Sequence, residues 1–86
     1  MREQELPPIP SKQAEKYLNK LDSKTRARVI AGIEKIPAGD IKLYKTNPEY
    51  SRLRIGDYRI LFKWLSDNQI FVLLVERRGQ VYKKGL

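Results

Sequence analysis

The chain of 86 residues contains no cysteine and no histidine. Without cysteine there is no disulfide scaffold and no thiolate zinc site. Without histidine there is no imidazole metal ligand, no imidazole general base and no Ser-His or Cys-His nucleophile pair. Acids are scarce: 10 Asp and Glu stand against 18 Lys and Arg, a formal charge of +8 at pH 7. Long apolar runs are missing too. The stretch at residues 70–75 is far too short to span a bilayer. The opening MREQELPPIP has no apolar signal core. The expectation is a cytoplasmic protein with no membrane partner, no metal and no cofactor. Its length fits one small domain over residues 1–86, near the lower limit for a self-sufficient core.

What is present is unevenly placed. Residues 1–41 carry eight Lys and Arg against six acids, whereas residues 42–86 carry ten against four (Glu49, Asp57, Asp67, Glu76). Seven of the eight aromatics also follow residue 41. A basic, aromatic half is the composition of a polyanion-binding surface, with nucleic acid the commonest case. The plainer reading is a basic protein kept soluble by its charge.

Residues 1–10 hold Pro7, Pro8 and Pro10, which allow at most an extended arm or an edge strand. Ser11 is a candidate N-cap. Ala14, Tyr17, Leu18 and Leu21 then follow at i, i+3, i+4 and i+7, one stripe of an amphipathic helix. Ser23 can cap a second helix with Val29, Ile30, Ile33 and Ile36 as its apolar stripe, ended by Pro37-Ala38-Gly39-Asp40. Residues 11–36 therefore read as a helical hairpin.

From residue 50 the period changes to two. Leu53 and Ile55 alternate with Arg52 and Arg54, and Gly56-Asp57 signals a turn. Tyr58, Ile60, Phe62 and Trp64 share one face of the next strand, and residues 69–76 form a third, apolar at nearly every position. Residues 50–82 read as a β-meander with a C-terminal tail. The fold class is α+β: two layers, with the helical hairpin on one face of a mainly antiparallel sheet.

Arg52 and Arg54 point the same way, onto the open face if the helices cover Leu53 and Ile55. The hairpin brings Arg59 nearby, on a face that depends on register, and Arg77 and Arg78 end the third strand. Converging guanidinium groups match phosphate oxygens; singly, each reads better as a solvated strand residue, and it is the set, concentrated in one segment, that favours an anion site. Tyr44, Tyr50 and Tyr82 lie outside the core pattern; the Tyr82 phenol, close after the basic pair, could stack on a base or transfer a proton, although spacing alone favours a tail aromatic that packs on the sheet. The acids form no spaced metal cluster, which disfavours two-metal nuclease chemistry.

Three segments, AEKYLNKLDSKTRARVIAGIEKIPAGDIKLYK, YSRLRIGDYRILFKW and VLLVERRGQVYKK, resemble the RelE/ParE superfamily of toxins from type II toxin–antitoxin modules. The resemblance runs over about residues 11–82. It implies a RelE-like fold with a concave basic sheet, and neutralisation by a cognate antitoxin. RLRIGDYRILF and RRGQVY are closer to the RelE-like branch, which cleaves mRNA in the ribosomal A site. The resemblance implies catalytic roles for Arg54, Arg59, Arg78 and Tyr82. Arg52, Lys45, Arg77, Lys83 and Lys84 are then RNA-binding residues.

Metal-independent cleavage of RNA needs a base for the 2′-OH, stabilisation of the charged phosphorane and an acid for the 5′-oxygen. Neighbouring arginines would favour the Tyr82 phenolate, while arginine itself suits a clamp better than a proton shuttle. Two other readings stay open. One is a ParE-like inhibitor of DNA gyrase. The other is a non-catalytic RNA-binding relative, because no Lys lies within residues 50–55 and Glu76 falls where some relatives place a basic group.

Overall fold

The computed structural model describes residues 3–78. The elements are β1 (Ile9–Pro10), α1 (Lys12–Lys20), α2 (Ser23–Glu34), β2 (Asp40–Leu43), β3 (Ser51–Ile55), β4 (Tyr58–Trp64) and β5 (Ile70–Arg77). The strands form one sheet in the order β1-β5-β4-β3-β2, with β1 parallel to β5 and the other pairs antiparallel. Both helices lie on one face, as the two-layer α+β reading requires.

Ser11 starts α1 from extended backbone. Its hydroxyl accepts from the Ala14 N–H at 3.1 Å and donates to the Leu73 carbonyl at 2.6 Å. One side chain thus caps the helix and fastens it to β5. Gln13 continues the attachment where β1 has ended. Its amide donates to the Val75 carbonyl at 2.9 Å and accepts from the Val75 N–H at 3.1 Å, as a neighbouring strand would. Ser11→Ala is expected to cost about 1–2 kcal/mol, since a cap and a tertiary hydrogen bond go together. Urea unfolding measures this.

The second helix is capped by Asp22, not by Ser23, which is its first helical residue. Asp22 Oδ2 accepts from the Thr25 N–H at 3.1 Å, the bond an N-cap makes to the third helical residue. Hydrogen bonds from Thr25 hold the Asp22 carboxyl below its ordinary pKa. A carboxylate depressed in the folded state stabilises at neutral pH, and that contribution is lost as pH falls through the folded value. Wild-type Tm should therefore fall more than that of Asp22→Asn between neutral pH and about pH 3. The end of α1 is closed from α2: Arg26 donates to the Leu18 and Leu21 carbonyls at 2.9 and 2.8 Å.

The proline-rich start forms the edge strand that its prolines permit. Beside it, Gln4 donates to the carbonyls of Ile33 and Ile36 at 2.7 and 3.0 Å, satisfying the end of α2. Reading the sheet from residue 50 onward misses β2. Three of its four residues are exposed, so no apolar run announces it.

Gly56 and Asp57 make the two-residue turn between β3 and β4. Gly56 has φ +56° and no other residue near it has positive φ, the arrangement of a type II′ turn with glycine first. A turn of two residues sets Ile55 opposite Tyr58, and the rest of the β3–β4 register follows. The core lies between the helices and one sheet face. It joins Ala14, Val29, Ile33 and Ile36 to Leu53, Ile60, Phe62, Ile70, Val72 and Val75. Tyr58 and Trp64 pack at its margin, so the β4 stripe is core as its period implies. At Gly32, α2 comes so close to β3 that an added Cβ would collide with Ile55.

Candidate nucleic-acid interface

The opposite face of the sheet carries the charge. Residues paired directly across strands point to the same side, so the register defines rows. The first row runs Asp40, Arg54, Arg59, Glu76 across β2, β3, β4 and β5. The second runs Lys42, Arg52, Leu61, Leu74. In the third, Lys63 stands opposite Phe71, with its ammonium 5.5 Å from the centre of the Tyr50 ring. No helix among the described residues covers these rows. Leu61, although buried, lies outside the helix-side core cluster.

Arg54 and Arg59 face each other directly. Like charges in that position destabilise a sheet, so the pair fits an anion held between them. Arg59 is half engaged already: its Nε donates to Glu76 Oε1 at 2.7 Å, and its Nη2 pairs with the same oxygen. Its side chain is 41% exposed and that of Glu76 14% exposed, so the carboxylate is sunk in the sheet while the guanidinium reaches solvent. Arg52 Nε is shielded from solvent and makes no hydrogen bond to the described residues. An unpaired buried donor costs about 1–3 kcal/mol, which an anionic ligand would recover.

The face thus brings together Arg52, Arg54 and Arg59. Arg78 adjoins them: its backbone N–H donates to the Asp57 carbonyl at 2.6 Å, extending the ladder beside the β3–β4 turn, and its side chain is exposed. Arg77 does not join them. It stands opposite Tyr58, on the helix side. There Tyr17 of α1 is its neighbour; burial, then the Tyr58 phenol, raises the Tyr17 pKa, while Arg77 pulls it down.

A β-bulge causes this placement. The β4–β5 pairing shifts by one residue between Leu61 and Phe62, so that Val72 opposes Phe62 but Leu74 opposes Leu61. Beyond the bulge every β5 side chain changes face. Glu76 is thereby brought beside Arg59, and Arg77 is turned toward the helices. In a strand apolar at nearly every position, the sequence holds no mark of that shift.

Lys45 lies exposed in the loop between β2 and β3, past the aromatic end of the face. Tyr82, Lys83 and Lys84 lie outside the described residues. Sequence reasoning did not place Lys42 on this face, because β2 was not seen, nor Lys63, whose face follows from the two-residue turn. Among the described residues, no three His, Cys, Asp or Glu side chains gather as a metal site would require. No helix among them is long and apolar enough to cross a membrane.

A family model for the ParE toxin of type II toxin–antitoxin systems matches residues 9–82. The chain belongs to this toxin family. Among proteins of curated function, none is similar enough to count as a relative. Solved structures agree on the fold. The toxin resembles a chain of the RelB–RelE antitoxin–toxin complex from Methanococcus jannaschii with a TM-score of 0.70 and 26% identity, over 88% of this chain and 96% of that one. It also resembles a chain of the RelBE2 toxin–antitoxin complex from Mycobacterium tuberculosis, with a TM-score of 0.63 over 91% of this chain and 100% of that one. At 19% identity the second likeness speaks to fold alone. The toxin is therefore a RelE/ParE-type α+β protein whose open sheet face is basic.

Proposed function

We propose that this toxin is a metal-independent endoribonuclease acting on mRNA in the ribosomal A site. The observation that carries the reading is the direct opposition of Arg54 and Arg59 on an uncovered sheet face. In the proposed step, a 2′-oxygen attacks the adjacent phosphorus and the bond to the 5′-oxygen breaks. The products are a 2′,3′-cyclic phosphate and a 5′-hydroxyl. The Tyr82 phenolate takes the 2′ proton, the departing 5′-oxygen takes a proton from water, and the hydroxide so formed recovers the proton from Tyr82. Arg54 and Arg59 hold the non-bridging oxygens, and Arg78 stabilises the charge that builds as the bond breaks. Arg52, Lys45, Lys83 and Lys84 grip the flanking backbone, with Arg77 contributing charge from the rim. Proximity supplied by the ribosome lets so small a set of groups suffice. A cognate antitoxin neutralises the toxin, in keeping with the antitoxin–toxin complex that holds its Methanococcus jannaschii structural relative.

A second reading, inhibition of DNA gyrase without chemistry of its own, has two observations in its favour. The matching family model is that of ParE toxins, and Glu76 already occupies one edge of Arg59. Inducing the toxin in cells separates the two. Fragmented messages with intact chromosomal DNA are expected. Double-strand breaks with intact messages would give the function to gyrase instead.

A further inference from the structure

Beyond the arginine rows, the same face ends in aromatics. The Tyr44 N–H donates to the Tyr50 carbonyl at 3.0 Å, extending the β2–β3 pairing past its last strand residues, Leu43 and Ser51. Tyr44, Tyr50, Lys63 and Phe71 thus continue the rows, and all four are half-buried. Lys63 Nζ lies 5.5 Å from the Tyr50 ring centre and 3.7 Å from Glu49 Oε1. These contacts steady both the ring and the ammonium. Two residues along a strand advance about 6.6 Å, so this row lies about 13 Å from Arg54 and Arg59. That is a span of roughly two nucleotides in an extended single strand.

We infer that Tyr44, Tyr50 and Phe71 form a base-stacking platform for single-stranded RNA, two nucleotides from the phosphate held by Arg54 and Arg59. This rests on the ribonuclease reading and adds to it a second subsite with its own chemistry. Cations aligned with a row of half-exposed rings are what a flexible polyanion with flat bases requires. Glu49 offsets the charge of Lys63, so the platform contributes stacking and little electrostatic attraction. Every base has a π-face, so the platform tolerates any sequence.

The test is fluorescence anisotropy at low salt with a short RNA made uncleavable by 2′-O-methyl groups. Tyr50→Ala should weaken binding about tenfold or more, as loss of one stacked base does, with the slope of affinity against salt unchanged. Arg52→Ala should reduce that slope by about one. Tyr50→Phe should bind as wild type does. A matching RNA lacking a base at the stacked position should bind wild type as weakly as intact RNA binds Tyr50→Ala, a comparison that needs no folded variant. If intact and abasic RNA bind equally well, or if Tyr50→Ala weakens only the antitoxin complex, the platform is overturned while the ribonuclease reading stands. If wild type binds no RNA at all, the platform is overturned, and the ribonuclease reading is decided separately by message cleavage on ribosomes.

Discussion

Arg59→Ala is expected to lower message cleavage on the order of 10²–10³-fold, the loss seen when one donor to a transition-state oxyanion is removed. Arg59 is the right residue for so large an effect. It sits directly opposite Arg54, and its guanidinium reaches solvent while its Nε is anchored on Glu76. That anchoring fixes the fork, so little side-chain entropy remains to be lost when phosphate binds. Lysine offers one point charge and no fork, so Arg59→Lys should recover only a small part of the rate. Removing Arg59 also leaves the sunken Glu76 carboxylate without its partner. The double variant Arg59→Ala/Glu76→Gln removes that unpaired charge and should be equally inactive. Cleavage restored in the double variant would mean that Arg59 serves only to neutralise Glu76.

Phe62→Ala should remove about 3–5 kcal/mol of folding stability. Phe62 is 2% exposed and is the largest of the fully buried side chains. It lies on the helix side of β4, with Ser51 and Val72 opposite it on the flanking strands, next to the bulge that sets the faces of β5. A domain of this size is stabilised by only about 5–15 kcal/mol, so the variant should be marginal or unfolded at 37 °C. Phe62→Leu should cost far less. Urea unfolding of the two measures both. A loss below about 1 kcal/mol for Phe62→Ala would show that the core does not close around this ring.

The helix-side architecture was legible because its signals are local. The β4 stripe, the α1 stripe and the Ser11 cap each rest on a few neighbouring residues, and each stands where the spacing puts it. The adjacency of Arg54 and Arg59 was within reach as well. A two-residue turn at Gly56-Asp57 allows only one register, and counting back from it sets the two arginines face to face. Other features depend on longer relations. Asp22 displaced Ser23 as the cap because either residue fits the pattern, and only the path of the chain into α2 decides between them. β2 was missed because four mostly exposed residues give no apolar run, although Asp40–Leu43 supplies the lysine that residues 50–55 lack. The exchange of Arg77 for Glu76 on the open face follows from a one-residue slip in pairing that no composition or spacing records. The basic face was therefore readable as a set of residues, but its neutralising carboxylate was not.

The central claim is that the open arginine face cuts messages on the ribosome. Its most direct test adds the purified toxin to a reconstituted translation reaction and maps mRNA 5′ ends by primer extension, with and without ribosomes. Tyr82→Phe and Arg59→Ala/Glu76→Gln run alongside. New ends within codons, present only with ribosomes and lost in both variants, are the predicted result. Intact messages beside actively translating ribosomes, or cleavage undiminished in both variants, would contradict it.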